Sequence, residues 1–377
     1  MIPTFKPSIK RKDMDSVLGC LISDVIGPAT LNERLLKVLA EHVHAAGGYA
    51  LREYPRAIAV ALRALGLQAG ARVALSPLLP WVYHYVCVEL ALEPVYVDVD
   101  VNSPVIDLDR LKRLENVAAV VVASTLGYSV DLQQLSELEL PLIEDVSQGL
   151  GAGCEAAAGG DALVAGSIGR YTICGLEPEH IITAGGGAAV LARGRKERTA
   201  LKTVVQRLPS EVFLPDMNAA LGLIQALEVQ RLNQRRREIA AVYAQSTAQS
   251  HHKTPVQHAE ADNVFFSYPV FVETGARDVI GYARKKGVEV LPAFAQSILG
   301  RTAAGSDAAA DPNAAADPNA ADPTVEAADR VGEASLPQEA SLPNARSFLL
   351  RCLLFPLYPM LKKHEVSLVQ KVLSTIP

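Results

Sequence analysis

PLIEDVSQGLGAGCEAAAGGDALVAGSIGRYTICGLEPEHIITAGGGAAVLA, residues 141–192, is the stretch on which the fold of this chain turns. An apolar run ends in Glu144 and Asp145. Small residues follow, then 166–174, and the glycine triplet Gly185–Gly187 leads into another apolar strand. In an open α/β sheet, ligands sit beyond the carboxyl ends of the strands, so an acid at a strand end marks a candidate site. The stretch has one conspicuous absence: no lysine occurs between Lys112 and Lys196.

Upstream of it, short apolar runs alternate with helical periodicity. The runs are Arg72–Leu75, Pro94–Val99, Val117–Ala123 and Pro141–Val146, and the helices between them are Trp81–Leu92, Asp107–Leu114 and Leu132–Glu137. Nearly continuous apolar strands, rich in valine, are buried on both faces, which predicts a mostly parallel sheet covered by helices. Further helices are expected at 13–20, 31–45 and 56–65, the second stopped by Gly47-Gly48. Downstream, one long helix is expected over 216–248. It is followed by strand 264–272, helix 277–286, strand Val288–Leu291, strand Leu353–Leu357 and helix 364–374. The chain thus divides into a large domain, 1–245, and a small α+β domain, 246–377. Residues 302–343 repeat DPNA and EASLP and lack the apolar content to bury a core, so they are expected to form a disordered insertion.

Composition narrows the function. The chain has 377 residues, 49% of them apolar, and a net charge of −5. It has no general basic field with which to neutralise phosphates, which argues against nucleic acid as a partner. The run Arg235-Arg236-Arg237 is expected to be a solvated helix face. Five scattered cysteines without a CxxC pair predict buried free thiols in a reducing compartment and no zinc site. His42 and His44 are two apart and face different sides of a helix, so they do not share a metal. No run reaches the ~20 apolar residues of a membrane helix. No signal-like h-region follows the N-terminus, and a cytoplasmic location is expected.

Several segments, in this order, resemble the DegT/StrS-type sugar aminotransferases: IPTFKPSI, ALRALGLQAG, PVYVDVD, LGYSVDL, IEDVSQGLGA, GSIGRYTI, NAALGLIQ with RRREIAAVY, and LLFPLYP. IEDVSQGLGA and NAALGLIQ are the most specific. The resemblance implies a pyridoxal-phosphate-dependent transferase of fold type I, with a mostly parallel seven-stranded sheet, a homodimeric assembly and a nucleotide-sugar ligand. It implies pyridoxal phosphate (PLP) or its amine form (PMP) as cofactor. Asp145 matches the aspartate that pairs with the pyridinium nitrogen and keeps the ring electron-withdrawing. Gln148 matches the glutamine beside the ring, Thr172 a hydroxyl that contacts the cofactor phosphate, and Gly185–Gly187 the turn after the lysine. Trp81, the only tryptophan, is a candidate to stack on the ring, or else packs in the core.

The departures from the pattern bear on function. Five residues before Gly185 stands His180, and the alternative count from Gly166 lands on Glu177; neither is the Schiff-base lysine. Where the family has SGTAA in its phosphate cup, this chain has EYPRA at Glu53–Ala57. Glu53 repels phosphate, Pro55 lacks an N–H and Tyr54 is bulky, while Arg56 is a candidate replacement cation. The family's glutamate in the glycine turn is Gly186, and its NYR is Glu211-Val212-Phe213.

Three functions fit these residues. The chain is a non-catalytic or sugar-binding relative with no cofactor bound. Alternatively, it is a keto-sugar dehydratase with His180 as base, as in the family branch that carries histidine at the lysine position. The third is a working aminotransferase whose lysine comes from elsewhere, for example Lys196 or Lys202.

Overall fold

The expected apolar runs form the centre of one sheet. The computed structural model describes residues 1–154, 162–257, 262–273, 275–303 and 342–377. Of the expected insertion 302–343, residues 304–341 lie outside the described residues. The large sheet contains β1 (Gly47–Leu51), β2 (Arg72–Leu75), β3 (Glu93–Tyr96), β4 (Ala119–Ala123), β5 (Leu142–Asp145), β8 (Tyr171–Gly175) and β9 (Ala188–Ala192). A separate two-stranded ribbon is formed by β6 (Gly153–Cys154) and β7 (Leu163–Val164). The order of the large sheet is β1-β9-β8-β5-β4-β2-β3, seven strands, of which β9 alone runs against the rest.

Side-chain alternation along each strand sorts the core into two layers. Val121, Ile143, Ile173 and Val190 point to one face, where α3 (Tyr54–Ala64), α4 (Val82–Glu89) and α7 (Arg195–Val205) cover them. Val120, Leu142, Cys174 and Leu191 point to the other. That face is covered by α2 (Thr30–His42), α5 (Leu108–Lys112), α6 (Leu132–Ser136) and the first half of α8 (Asp216–Thr247). Helix α1 (Arg11–Ile22) lies outside, against α8. Asp107 and Asp131 start α5 and α6 by accepting from the backbone amides two and three residues on, as N-cap residues do.

The second core gathers around a three-stranded antiparallel sheet, β10 (Tyr268–Phe271), β12 (Cys352–Phe355) and β11 (Leu291–Pro292). Helices α9 (Ala276–Lys285) and α11 (Lys363–Leu373) pack with it. The boundary expected at 245/246 falls inside α8, and residues from before it enter this core. Ile239 and Tyr243 of α8 are buried there, and Ile2 pairs in parallel with Val288 at its edge. Thr4 is tied to Glu289 through two hydrogen bonds, of 2.7 and 3.1 Å.

Helix α10 (Pro343–Arg351) follows the undescribed stretch. Buried Asp98 accepts from Asn344 N at 3.0 Å and Ala345 N at 2.8 Å and thereby caps it. All five cysteines are free and buried. The arginine run is a correction: Arg235 and Arg237 reach acidic partners at the surface, but Arg236 is buried. Its guanidinium donates to Asn233 Oδ1 and to Ile181 O, and burial lowers its pKa to about 9.

Candidate functional site

Strand β5 ends in two carboxylates that face opposite sides of the sheet, as successive residues of a strand must. Glu144 points to the α8 side. It accepts from Gly166 N at 2.8 Å, Ile168 N at 2.7 Å and Gly169 N at 2.6 Å, and so organises the turn that enters β8. Burial raises its pKa, and the three amides act against that shift. Its role was not visible in the sequence, although an acid in an otherwise apolar strand was the available signal.

Asp145 points to the α3–α4 side and is 4% exposed. Its Oδ1 accepts from Ser147 N at 2.7 Å. Its Oδ2 accepts from the hydroxyls of both Tyr54, the first residue of α3, and Tyr83 on α4. The two phenol oxygens lie 3.3 Å apart, and the rings meet edge to face. Tyr54 is 7% exposed and Tyr83 fully buried. Burial first, and the charge of Asp145 second, raise both phenol pKa values well above the ordinary range. Neither tyrosine was read from the sequence as a partner of Asp145; 91 and 62 residues separate them from it.

His180 lies on the loop that leaves β8. Its ring stands 5.1 Å from that of Tyr54 and close above Gly175, where a Cβ would come 2.2 Å from the imidazole. Its Nδ1 accepts from Glu177 N at 3.2 Å. Burial lowers its pKa, outweighing the opposing effects of Asp145 and of the Gly175 backbone. The loop is fastened to the strand end by Gly175 N donating to Ser147 Oγ and Ile181 N donating to Ser147 O. The glycine turn has positive φ at Gly185, Gly186 and Gly187. Its amides are satisfied within the loop: Gly185 N by Thr183 Oγ1, Gly186 N by Leu176 O, and Gly187 N by Glu177 Oε1 at 3.0 Å.

The other candidate residues do not converge on this point. Thr172 shares the face of Glu144, opposite to Asp145, and its hydroxyl donates to Gly166 O at 2.5 Å. Gln148 spends its Oε1 on Leu126 N at 2.7 Å, holding a residue with positive φ. Trp81 packs against the His84 ring at 4.5 Å and under the Arg301 guanidinium at 5.7 Å. Arg56 is half-buried in the first turn of α3, and Glu53 is its exposed N-cap. Lys196 and Lys202 are exposed on α7, on the outer helical layer, so the structure brings neither to the loop.

The residues present do not fit a pyridine ring held by Asp145: the carboxylate is 4% exposed, and the two phenols on Oδ2 with the Ser147 amide on Oδ1 take three of its roughly four acceptor positions. Tyr54 touches both groups, with its hydroxyl on Oδ2 and its ring against the His180 imidazole.

The comparisons with known proteins agree with one another. The model of the DegT/DnrJ/EryC1/StrS aminotransferase family matches residues 7–317. The chain is 23% identical over 288 residues to GDP-perosamine synthase of Vibrio cholerae, covering 71% of this chain and 76% of that protein. Its fold is similar to a putative sugar aminotransferase of Streptococcus pneumoniae in its PLP form, with TM-score 0.81, 16% identity and coverage of 98% and 97% of the two chains. It is equally similar to the E. coli GDP-4-keto-6-deoxy-D-mannose-3-dehydratase with bound hydrated PLP, with TM-score 0.81, 14% identity and 99% of each chain. At those identities the solved structures establish the fold, and the family match spans most of the sequence. By its α/β architecture and by that match, the chain belongs to the DegT/DnrJ/EryC1/StrS aminotransferase family.

Proposed function

We propose that this chain is a non-catalytic, sugar-binding member of its family, serving nucleotide-sugar chemistry of surface-polysaccharide or deoxysugar biosynthesis in the cytoplasm. One observation carries this: the loop side chain that reaches the Tyr54–Asp145 cluster is the imidazole of His180. A Schiff base needs a primary amine, and an imidazole cannot provide it. A nucleotide sugar is the ligand class suggested by the relatives' names, GDP-perosamine synthase among them.

The alternative, a dehydratase with His180 as base, is favoured by the spacing of His180 from the glycine turn. Against it stand the altered phosphate cup at Glu53–Ala57 and Gly186 in place of the family's glutamate.

A homodimer is the assembly we propose. Its support is an apolar outer surface on α1 and the turn after it, where Met14, Leu18, Leu21, Ile22, Val25 and Ile26 are exposed. A contiguous face of this kind on a soluble protein marks an interaction surface.

The test is to add PLP, PMP and a panel of nucleotide sugars separately to the purified protein. Visible absorbance, melting temperature and calorimetric heats are recorded, with borohydride trapping in the PLP arm. Heat from a nucleotide sugar without a cofactor spectrum is the expected result. A lysine fixed to PLP by borohydride would sink the proposal, and a response confined to PMP would favour the dehydratase.

A further inference from the structure

Asp145 makes more contacts than a capping residue requires. Its two oxygens hold three donors from three parts of the chain: Ser147 just after β5, Tyr54 opening α3, and Tyr83 within α4. Tyr54 and Tyr83, both buried, join α3 and α4 to the strand end through one oxygen. Hydrogen bonds to a carboxylate are stronger than neutral ones, and losing the acceptor would leave two buried donors unpaired. The Tyr54 ring is itself wedged: Tyr83 meets it at 87° and His180 at 70°. Pro55, next to it, stands in the first turn of α3, where its fixed φ suits the helix start.

We infer that Asp145 has become a structural acceptor in this chain. Tyr54 plugs the strand-end site against a pyridoxal-type ring, with Tyr83 and His180 as the positioning residues that hold the plug. The inference deepens the non-catalytic proposal and rests on it for its meaning. It adds a distinct claim: the residue that the family resemblance assigns to the cofactor here supports the fold.

The test uses full-length protein in the absence and presence of PMP. Asp145→Asn is expected to lower the melting temperature by at least about 5 °C, because two buried phenols lose their charged acceptor. Tyr54→Phe and Tyr83→Phe, which keep the rings, are each expected to lower it by a few degrees. In the Asp145→Asn background, Tyr54→Phe is expected to cost less than half of what it costs alone, since the two changes remove one interaction. Should Asp145→Asn fail to fold, the two phenylalanine variants carry the test. Unchanged melting temperatures in both variants, with an inert wild type, would overturn this inference alone. A PMP or PLP spectrum in the wild type that Asp145→Asn weakens would also overturn it. Aminotransferase turnover by the wild type would overturn both this inference and the proposed function.

Discussion

The imidazole of His180 stands edge-on to the ring of Tyr54, centroids 5.1 Å apart and planes at 70°. The contact joins the loop after β8 to the first turn of α3, and the burial of the imidazole there disfavours its charged form.

A pH dependence follows. The folded-state pKa of His180 lies below its ordinary 6.5. The unfolded chain therefore binds the proton more readily, and folding stability is full above about pH 6.5 and falls as the pH drops below it. The slope from this one group is at most about 1.4 kcal/mol per pH unit. Urea unfolding at about pH 7.5 and about pH 5.5 should show the loss in the wild type and a smaller loss in His180→Gln. Equal losses in the two proteins would exclude His180 as the source.

Glu144 is expected to be structurally indispensable. Glutamine in its place offers one acceptor oxygen where three backbone amides now converge on two. Glu144→Gln should cost about 2–3 kcal/mol in chemical denaturation, the range for a buried amide left unpaired together with a weakened charged hydrogen bond. Unchanged stability would mean that the 166–169 turn does not depend on these bonds.

Two neighbouring glycines should respond differently to alanine. At Gly187, φ is +92° and a Cβ would lie 2.4 Å from Leu51 O and 2.8 Å from Leu214 Cδ1. At Gly186, φ is +145°, but the nearest heavy atom is Glu177 Oε2 at 3.7 Å. Gly187→Ala combines strain with a backbone clash and is expected to cost about 3 kcal/mol or more, whereas Gly186→Ala carries backbone strain alone, about 1–2 kcal/mol. Thermal melts of both variants read the difference, and the reverse order would contradict the turn geometry.

Charges on the outer face of α1 should separate the proposed dimer. Leu18 is 53% exposed and Ile22 78%, so Leu18→Glu with Ile22→Glu removes little internal packing. Light scattering after size exclusion is expected to change from dimer to monomer while the melt of the protomer stays cooperative. A wild type that is monomeric at all accessible concentrations would remove the surface from consideration.

Much of the architecture was legible in the sequence, because buried parallel strands write themselves as uninterrupted apolar runs. Arg72–Leu75 was read to the residue, and Val117–Ala123 and Pro141–Val146 contain β4 and β5. Less was legible where the pattern is weak. β1 begins with Gly47-Gly48, which read only as a helix stop, because a half-buried edge strand of five residues carries little hydrophobic signal. Helix α7 was not read, since only Leu201 and Val205 of its eleven residues are buried. Strand 264–272 shortens to Tyr268–Phe271, preceded by Phe265 in the left-handed region. In the site, Asp145 and His180 could be placed by their spacing from recognisable motifs. Tyr54 read as an obstacle to phosphate on account of its bulk. That its hydroxyl would turn inward to Asp145 depends on how α3 and α4 lie on the sheet, which no local pattern encodes.

The pairing of Ile2 with Val288 has a consequence for the order of assembly. Ile2 is bridged to a residue that follows every strand of the large sheet in the chain. During synthesis the arm waits, undocked, while the large sheet can already form behind it, and it finds its place only when residues 287–289 leave the ribosome. A charged residue in place of Ile2 would therefore burden the docking of this arm on residues 287–289 more than the formation of the large sheet.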